Sequence, residues 1–262
     1  MSALDRFDGF ALDLDGVVWL AGAPIAGAAE AVARLRERAP LVFLTNDPRS
    51  TREQYVERLR GIGVAAELDE MLTSSAATAE MIARDAPGAT VYVVGSDALA
   101  AELGSTGLEV VDRGGPGVDF VVVGGHSGFD YAELAAGMAA VRAGAALWAT
   151  NCDPVYPTAG GLLPGTGAIV AAVETASGRT ARVAGKPERP MFDAARDRLG
   201  AERPAVVGDS LDSDIGGGAG AGFATILVLS GRASAAEAET ASVRPDLVVD
   251  DLAALAAALA AD

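Results

Sequence analysis

Phe10-Ala-Leu-Asp-Leu-Asp-Gly16 joins an apolar run to two carboxylates and a glycine. Phe10–Leu14 reads as a buried strand, and Asp15-Gly16 as the turn that leaves it. Ligands of open parallel sheets bind beyond the carboxyl ends of strands. Asp13 and Asp15 therefore stand where chemistry is done. Their hard oxygens suit magnesium, which takes one or two carboxylates together with phosphate. A plain acidic turn is the alternative reading of this stretch alone.

Outward from it, the same punctuation recurs. Leu41–Leu44 is a second buried strand, ending in Thr45-Asn46-Asp47. A hydroxyl and an amide there can donate to phosphate oxygens, although a helix N-cap uses the same residues. Arg182–Ala184 is a short strand before Gly185-Lys186-Pro187. Ala205–Val207 runs into Gly208-Asp209-Ser210-Leu211-Asp212-Ser213-Asp214, whose carboxylates repel one another unless a cation compensates or solvent screens them. Four strands thus end in paired Asp, Thr and Asn, Lys, and clustered Asp. Thr225–Leu229 and Leu247–Val249 complete the sheet. Ala28–Arg38, Arg52–Gly61, Met191–Leu199 and Leu252–Leu259 have helical spacing.

Composition narrows the function. The 262 residues carry 36 acidic and 20 basic side chains, a net charge of −16. A polyanion of this size repels nucleic acid and anionic membranes. Half the residues are apolar, so the 32 glycines signal tight turns and not disorder. No basic and apolar signal segment is evident, and Ile215–Leu229 is too short and glycine-interrupted to span a bilayer, so the expected location is the cytoplasm. Cys152 is the single cysteine and His126 the single histidine, which excludes disulfides, thiolate zinc clusters and multi-histidine metal sites. Lys186 is the sole lysine among many arginines, and Asn46 and Asn151 are the sole asparagines. In a chain so biased to Ala, Gly and Arg, these survivors mark places that need a compact ammonium or a neutral amide.

The middle of the chain has its own cycle. Ala76–Arg84, Leu99–Leu103, Leu134–Val141 and Ala168–Thr175 read as helices; Val91–Val94, Phe120–Val123 and Ala146–Trp148 read as strands. A Gly/Pro-rich patch from Thr158 to Gly167 precedes the last helix. The expected class is α/β: a Rossmann-like parallel sheet formed by residues 1–73 and 184–262, with a second α/β domain inserted as 74–183.

The ordered set DLDG, LTN, GKP and GDSLDSDI resembles the four motifs of the haloacid dehalogenase superfamily. The branch it is most similar to is the NagD-like, 4-nitrophenylphosphatase-like group, with a large α/β cap between motifs two and three. Val91-Tyr-Val-Val-Gly95, Val121-Val-Val-Gly124, Thr150-Asn-Cys-Asp153 and Gly161-Leu-Leu-Pro-Gly165 match that cap. The resemblance implies a Mg²⁺-dependent phosphatase of small phosphomonoesters such as sugar, glycerol, glycolate or nucleotide phosphates. It implies Asp13 as nucleophile, forming an aspartyl-phosphate, and Asp15 as general acid and then base, its carbonyl also on the metal. Asp13, Asp15, Asp209 and Asp214 would hold the metal; Thr45, Asn46 and Lys186 would bind phosphate. Asn151, Asp153 and His126 in the cap are the expected substrate contacts, and a dimer through the caps is the family's habit. Asp47 stands where the family often has Asn, Ser213 replaces a common Thr, Gly218 replaces Ala, and His126 replaces a frequent Asp. Asp47 keeps open a catalytically silent phospho-ligand-binding protein on the same fold. A phospho-accepting signalling domain also uses Asp pairs, Thr and Lys, but a general acid at Asp15 would shorten the phosphoryl lifetime. Gly216-Gly-Gly-Ala-Gly-Ala221 fits a dinucleotide fingerprint but follows an acidic loop, the wrong context, so close helix packing is the better account. Trp19 belongs either to the mouth of the site or to the core.

Overall fold

Every residue of the strands Gly9–Asp13, Leu41–Thr45 and Pro204–Gly208 is buried. Strands without an exposed face belong in a parallel sheet covered on both sides. In a computed structural model, which describes residues 7–158 and 160–260, these strands lie in a six-stranded sheet. Its order is Leu247–Val249, Ala224–Val228, Pro204–Gly208, Gly9–Asp13, Leu41–Thr45, Met71–Thr73. Gly9–Asp13 pairs in parallel with Pro204–Gly208 on one side and Leu41–Thr45 on the other. The chain order reverses around this central strand, so its carboxyl end is the switch point at which such sheets bind ligands.

The helix Ala28–Arg36 shows how the sheet is covered. Ala28, Ala31, Val32 and Leu35 are buried, the spacing of one helical face. Residues 189–199 form another helix, with a proline in the first turn and Gly200 in the left-handed conformation ending it.

A second sheet, of five strands, runs Arg182–Val183, Ala146–Ala149, Phe120–Val123, Thr90–Val94, Glu109–Val111. All four pairings are parallel. Helices Ser74–Asp85, Asp97–Ser105, Tyr131–Ala143 and Thr166–Ser177 accompany it. Its core is separate, with Val94, Val121, Val123, Leu147 and Val173 in one cluster and Ile82, Val91, Leu99, Leu103 and Trp148 in another. The Gly/Pro-rich patch is an antiparallel hairpin, Val155–Thr158 with Gly161–Pro164.

The described residues fall into two units, 7–45 with 52–72 and 186–260, and 46–51 with 73–185. Residues 46–51 group with the second unit and not with the strand they follow, because Asn46 is hydrogen-bonded there. Of the expected ranges, residues 1–6, 159, 261 and 262 lie outside the described ones. Among the described residues, no helix is long and apolar enough to cross a membrane.

Candidate active site

Asp13 is the last residue of the central strand, and Asp209 follows the end of its neighbour Pro204–Gly208. The chain after Asp209 enters a π-helical turn, Leu211–Gly216, where an acidic loop was expected. Ser210 accepts the backbone N–H of Ile215 at its carbonyl (3.1 Å) and that of Ser213 at its hydroxyl (3.3 Å). Such wide turns cluster at functional sites. This one swings Asp214 back under its own strand, where its Oδ2 accepts the Ser210 N–H at 3.0 Å. Asp214 packs so closely on Gly208 that a β-carbon there would overlap its carboxyl group. Gly16, at φ 81°, and Gly231 give Asp209 the same room. Asp209 Oδ2 accepts the Arg232 N–H at 2.8 Å, and the Ser230 hydroxyl donates to the Gly16 carbonyl at 2.6 Å.

The only lysine closes this cluster. Lys186 Nζ lies 2.7 Å from Asp13 Oδ1 and 2.6 Å from Asp214 Oδ1. Lys186 is 3% exposed and Asp214 is fully buried. Burial by itself would lower the lysine's pKa, but Asp13 and then Asp214 outweigh it and hold the ammonium above its ordinary range. One cation does not balance the carboxylates. Burial, with help from Asp214 and Asp209, raises Asp13 well above the usual carboxylate value despite Lys186. Burial and the Asp214 charge push Asp209 up to about 6, against the Arg232 N–H that favours its ionised form.

This imbalance is what a hard divalent cation relieves. Asp13, Asp209 and Asp214 each offer a carboxylate oxygen, and the three atoms lie within 4.8 Å of one another. The donor set is all oxygen, partly buried and negatively charged, which fits magnesium and does not fit a soft thiolate or imidazole metal. Asp15 is placed differently. Its carboxylate is exposed and accepts the Trp19 indole N–H at 3.1 Å. Asp212 is exposed and stands apart from the metal cluster. Thr45 is buried at the end of Leu41–Thr45.

The second unit holds the remaining candidates in two groups. Asn46 Nδ2 donates to Asp153 Oδ2 at 3.1 Å. The Asn46 carbonyl accepts from Asn151 Nδ2 at 2.6 Å and from the Ser74 hydroxyl at 2.6 Å, and Asn151 Oδ1 accepts the Asp153 N–H at 3.0 Å. The two sole asparagines of the chain are therefore partners, joined across more than a hundred residues. Asp47, the departure from the family pattern, is gripped at both oxygens by Arg49 at 2.6 and 2.7 Å, and that guanidinium lies 3.8 Å over the Tyr156 ring. His126 Nε2 lies 2.9 Å from Glu133 Oε2, while Glu133 Oε1 accepts the Gly95 N–H.

Sequence reasoning passed over three participants. Ser210 donates its N–H to Asp214, Glu133 pairs with His126, and Arg58 lies 3.9 Å over the Trp19 ring, and the sequence reading singled out none of the three. The glycine-rich 216–221 stretch is a packing device. A β-carbon on Gly218 would collide with Val206, and one on Gly217 with Phe192 and Pro187. The glycine at 218 is thus the residue its close contact requires.

Residues 10–109 match the family model described as haloacid dehalogenase-like hydrolase, and residues 183–255 match HAD-hydrolase-like. D-glycerol 3-phosphate phosphatase of Mycobacterium tuberculosis is 38% identical over 97% of this chain and 72% of its own. Acid sugar phosphatase of Staphylococcus saprophyticus is 35% identical over 95% of this chain and 96% of its own. Among solved structures, p-nitrophenyl phosphatase from Archaeoglobus fulgidus superposes with a TM-score of 0.90 at 33% identity, covering 97% of this chain and 99% of that one. A glycerol phosphate phosphatase from M. tuberculosis, solved in complex with magnesium, gives 0.90 at 37% identity, over 97% of this chain and 78% of that one. Sheet order, acidic cluster and relatives agree: the chain belongs to the haloacid dehalogenase superfamily, in its NagD-like, p-nitrophenylphosphatase-like branch of phosphatases.

Proposed function

We propose that this enzyme hydrolyses small phosphomonoesters, of the glycerol, sugar, glycolate or nucleotide phosphate class, through an aspartyl-phosphate on Asp13 with Mg²⁺ as cofactor. The observation that carries this reading is the buried Asp13–Lys186–Asp214 array beside Asp209, a costly arrangement that packing alone does not reward. Asp13, Asp209 and Asp214 would hold the metal, with the carbonyl of Asp15 beside them. Bound there, the metal would supply positive charge that neutralises the phosphate beside Asp13. Asp13 attacks phosphorus as the bond to the ester oxygen breaks. Lys186 offsets the charge gathered on Asp13 and the phosphoryl oxygens, and Thr45 donates to one of them. Asp15 gives its proton to the departing oxygen, then takes one from the water that cleaves the phosphoenzyme.

Asn46 would donate to phosphate through Nδ2, whose two hydrogens allow it to do so while it also donates to Asp153. Asn151 and Asp153 then act by fixing Asn46, and His126 remains the candidate for direct substrate contact in the second unit. A silent binding protein was kept open by the carboxylate of Asp47. Its bidentate pairing with Arg49 weighs against that reading, since the charge is compensated locally.

The test is phosphate release from a panel of small phosphomonoesters, with and without Mg²⁺, beside Asp13→Asn. Metal-dependent release that the variant lacks is the expected outcome. Well-folded protein that binds Mg²⁺ yet releases no phosphate from any ester overturns the proposal.

A further inference from the structure

Trp19 is 1% exposed, yet its indole N–H reaches the exposed carboxylate of Asp15, Nε1 to Oδ1 at 3.1 Å. A tight turn makes this meeting obligatory. The N–H groups of Val18 and Trp19 both donate to the Leu14 carbonyl, at 2.9 and 3.1 Å, and the Trp19 carbonyl accepts the Gly16 N–H at 2.6 Å. The ring is clamped from its own unit. Tyr55 lies parallel to it at 11°, centroids 6.4 Å apart, and the Arg58 guanidinium sits 3.9 Å over its face. A cation over an indole draws on its π density, which strengthens the N–H as a donor. A core tryptophan needs only an apolar slot and any acceptor; this one is aimed at an acid–base carboxylate.

We propose that Trp19 is a positioning residue for general acid catalysis, designating which oxygen of Asp15 carries the transferable proton. The inference rests on the reading of Asp15 as general acid. Indole N–H donates and never accepts. Oδ1, bound to it, is held as the acceptor oxygen, and the proton is carried on Oδ2. In the first step that proton passes from Oδ2 to the ester oxygen as its bond to phosphorus breaks and the Asp13–phosphorus bond forms. In the second, a water proton returns to Oδ2 as water oxygen bonds to phosphorus and the Asp13–phosphorus bond breaks. The fixed indole also limits rotation of the carboxyl group, so Oδ2 keeps one direction.

The experiment exploits the leaving group. The alkoxide of glycerol phosphate needs a proton to depart; the phenolate of 4-nitrophenyl phosphate does not. kcat/KM reports the steps up to that departure, so the ratio of the two substrates isolates the acid. Trp19→Phe keeps a ring against Tyr55 and Arg58 and removes the donor. The expected result is a loss of kcat/KM about tenfold greater for glycerol phosphate than for 4-nitrophenyl phosphate, a fraction of the roughly 10²–10⁴ that general acids supply. Because Phe is smaller and the slot is buried, the benzothiophene analogue of tryptophan at position 19 is the second variant, matching the ring and lacking the N–H. The same selective loss must appear there. Equal losses on both substrates in the analogue, or none, overturn the inference. Wild-type protein inactive on both esters overturns instead the reading of the site on which it rests.

Discussion

At the carboxyl ends of Gly9–Asp13 and Pro204–Gly208 the first sheet presents Asp13 and Asp209, while the ends of Phe120–Val123 and Ala146–Ala149 in the second lead to Gly124, Gly125 and Thr150. Both sheets are parallel and both carry helices, and their strands bury comparable apolar runs. They differ in how polar groups are satisfied. In the second unit the buried Asn151 spends its amide on Asn46 and its carbonyl oxygen on the Asp153 N–H, and the single carboxylate of this network, Asp153, accepts from Asn46. In the first, one ammonium faces two carboxylates with a third nearby, and burial pushes the pKa of two of them upward. Architecture is shared, so it does not locate the chemistry; uncompensated buried charge does.

The sharpest break in that comparison is Asp13→Asn against Asn151→Ala. The first should cut phosphate release by about 10⁴-fold or more, because it removes the proposed nucleophile. The second should change the rate only several-fold, read in the same assay. If Asn151→Ala were as damaging, the two networks would be one machine.

Lys186→Met comes next. It should lose about 10²–10³ in kcat, as removal of a preorganised donor does. It should also destabilise the protein by about 3–5 kcal/mol in urea unfolding, because Asp13 and Asp214 are left buried without their cation. Lys186→Arg should not restore activity, since a planar fork cannot occupy the place of a compact ammonium between two oxygens.

A smaller contrast sets two glycines side by side. Gly218→Ala should cost about 1–3 kcal/mol, the new methyl colliding with Val206. Gly104→Ala, in the helix Asp97–Ser105 of the second unit, meets nothing nearer than 4.0 Å and should stabilise by about 0.5–1 kcal/mol. Equal signs in thermal melts would contradict the packing described for Gly218.

The mildest effect is on the metal's grip as pH changes. Asp209 is raised in the folded protein, so its proton favours folding below pH about 4, and that favour is lost as pH rises toward 6. Magnesium needs the ionised form and competes with that proton. The rise in Tm on adding Mg²⁺ should therefore grow between pH 4.5 and pH 7. A constant rise would mean that these carboxylates do not hold the metal.

Much of the first unit was legible because its signals are local. Each apolar run followed at once by Asp or Thr announces a strand end, and Gly200 announces a helix stop; the short strand before Lys186, expected in the first sheet, instead pairs with Ala146–Ala149 in the second, because two residues are too few to show which sheet they join. The sole lysine drew attention by scarcity, and it lies buried between Asp13 and Asp214. What stayed hidden depends on long-range geometry or short elements. Met71–Thr73 and Glu109–Val111 are three residues each, too few to show a period. The hairpin at Val155–Pro164 exposes Leu162 and Leu163, so no buried face patterned its sequence. Asn151 and Asp153 were expected to touch substrate, and nothing local tells that their partner is Asn46. Trp19 was left between two roles; its ring is core and its N–H edge serves Asp15.

The lone lysine has a consequence for how this protein meets reagents. The only side-chain amine of the chain is 3% exposed and clasped by two carboxylates. An acylating or reductively alkylating probe finds no nucleophilic nitrogen there while the first unit stays closed. Each opening uncovers it once, and the modified chain cannot close around a group that is bulkier and, after acylation, uncharged. The rate at which the side chain is tagged is therefore a clock for native-state opening, one that runs without denaturant.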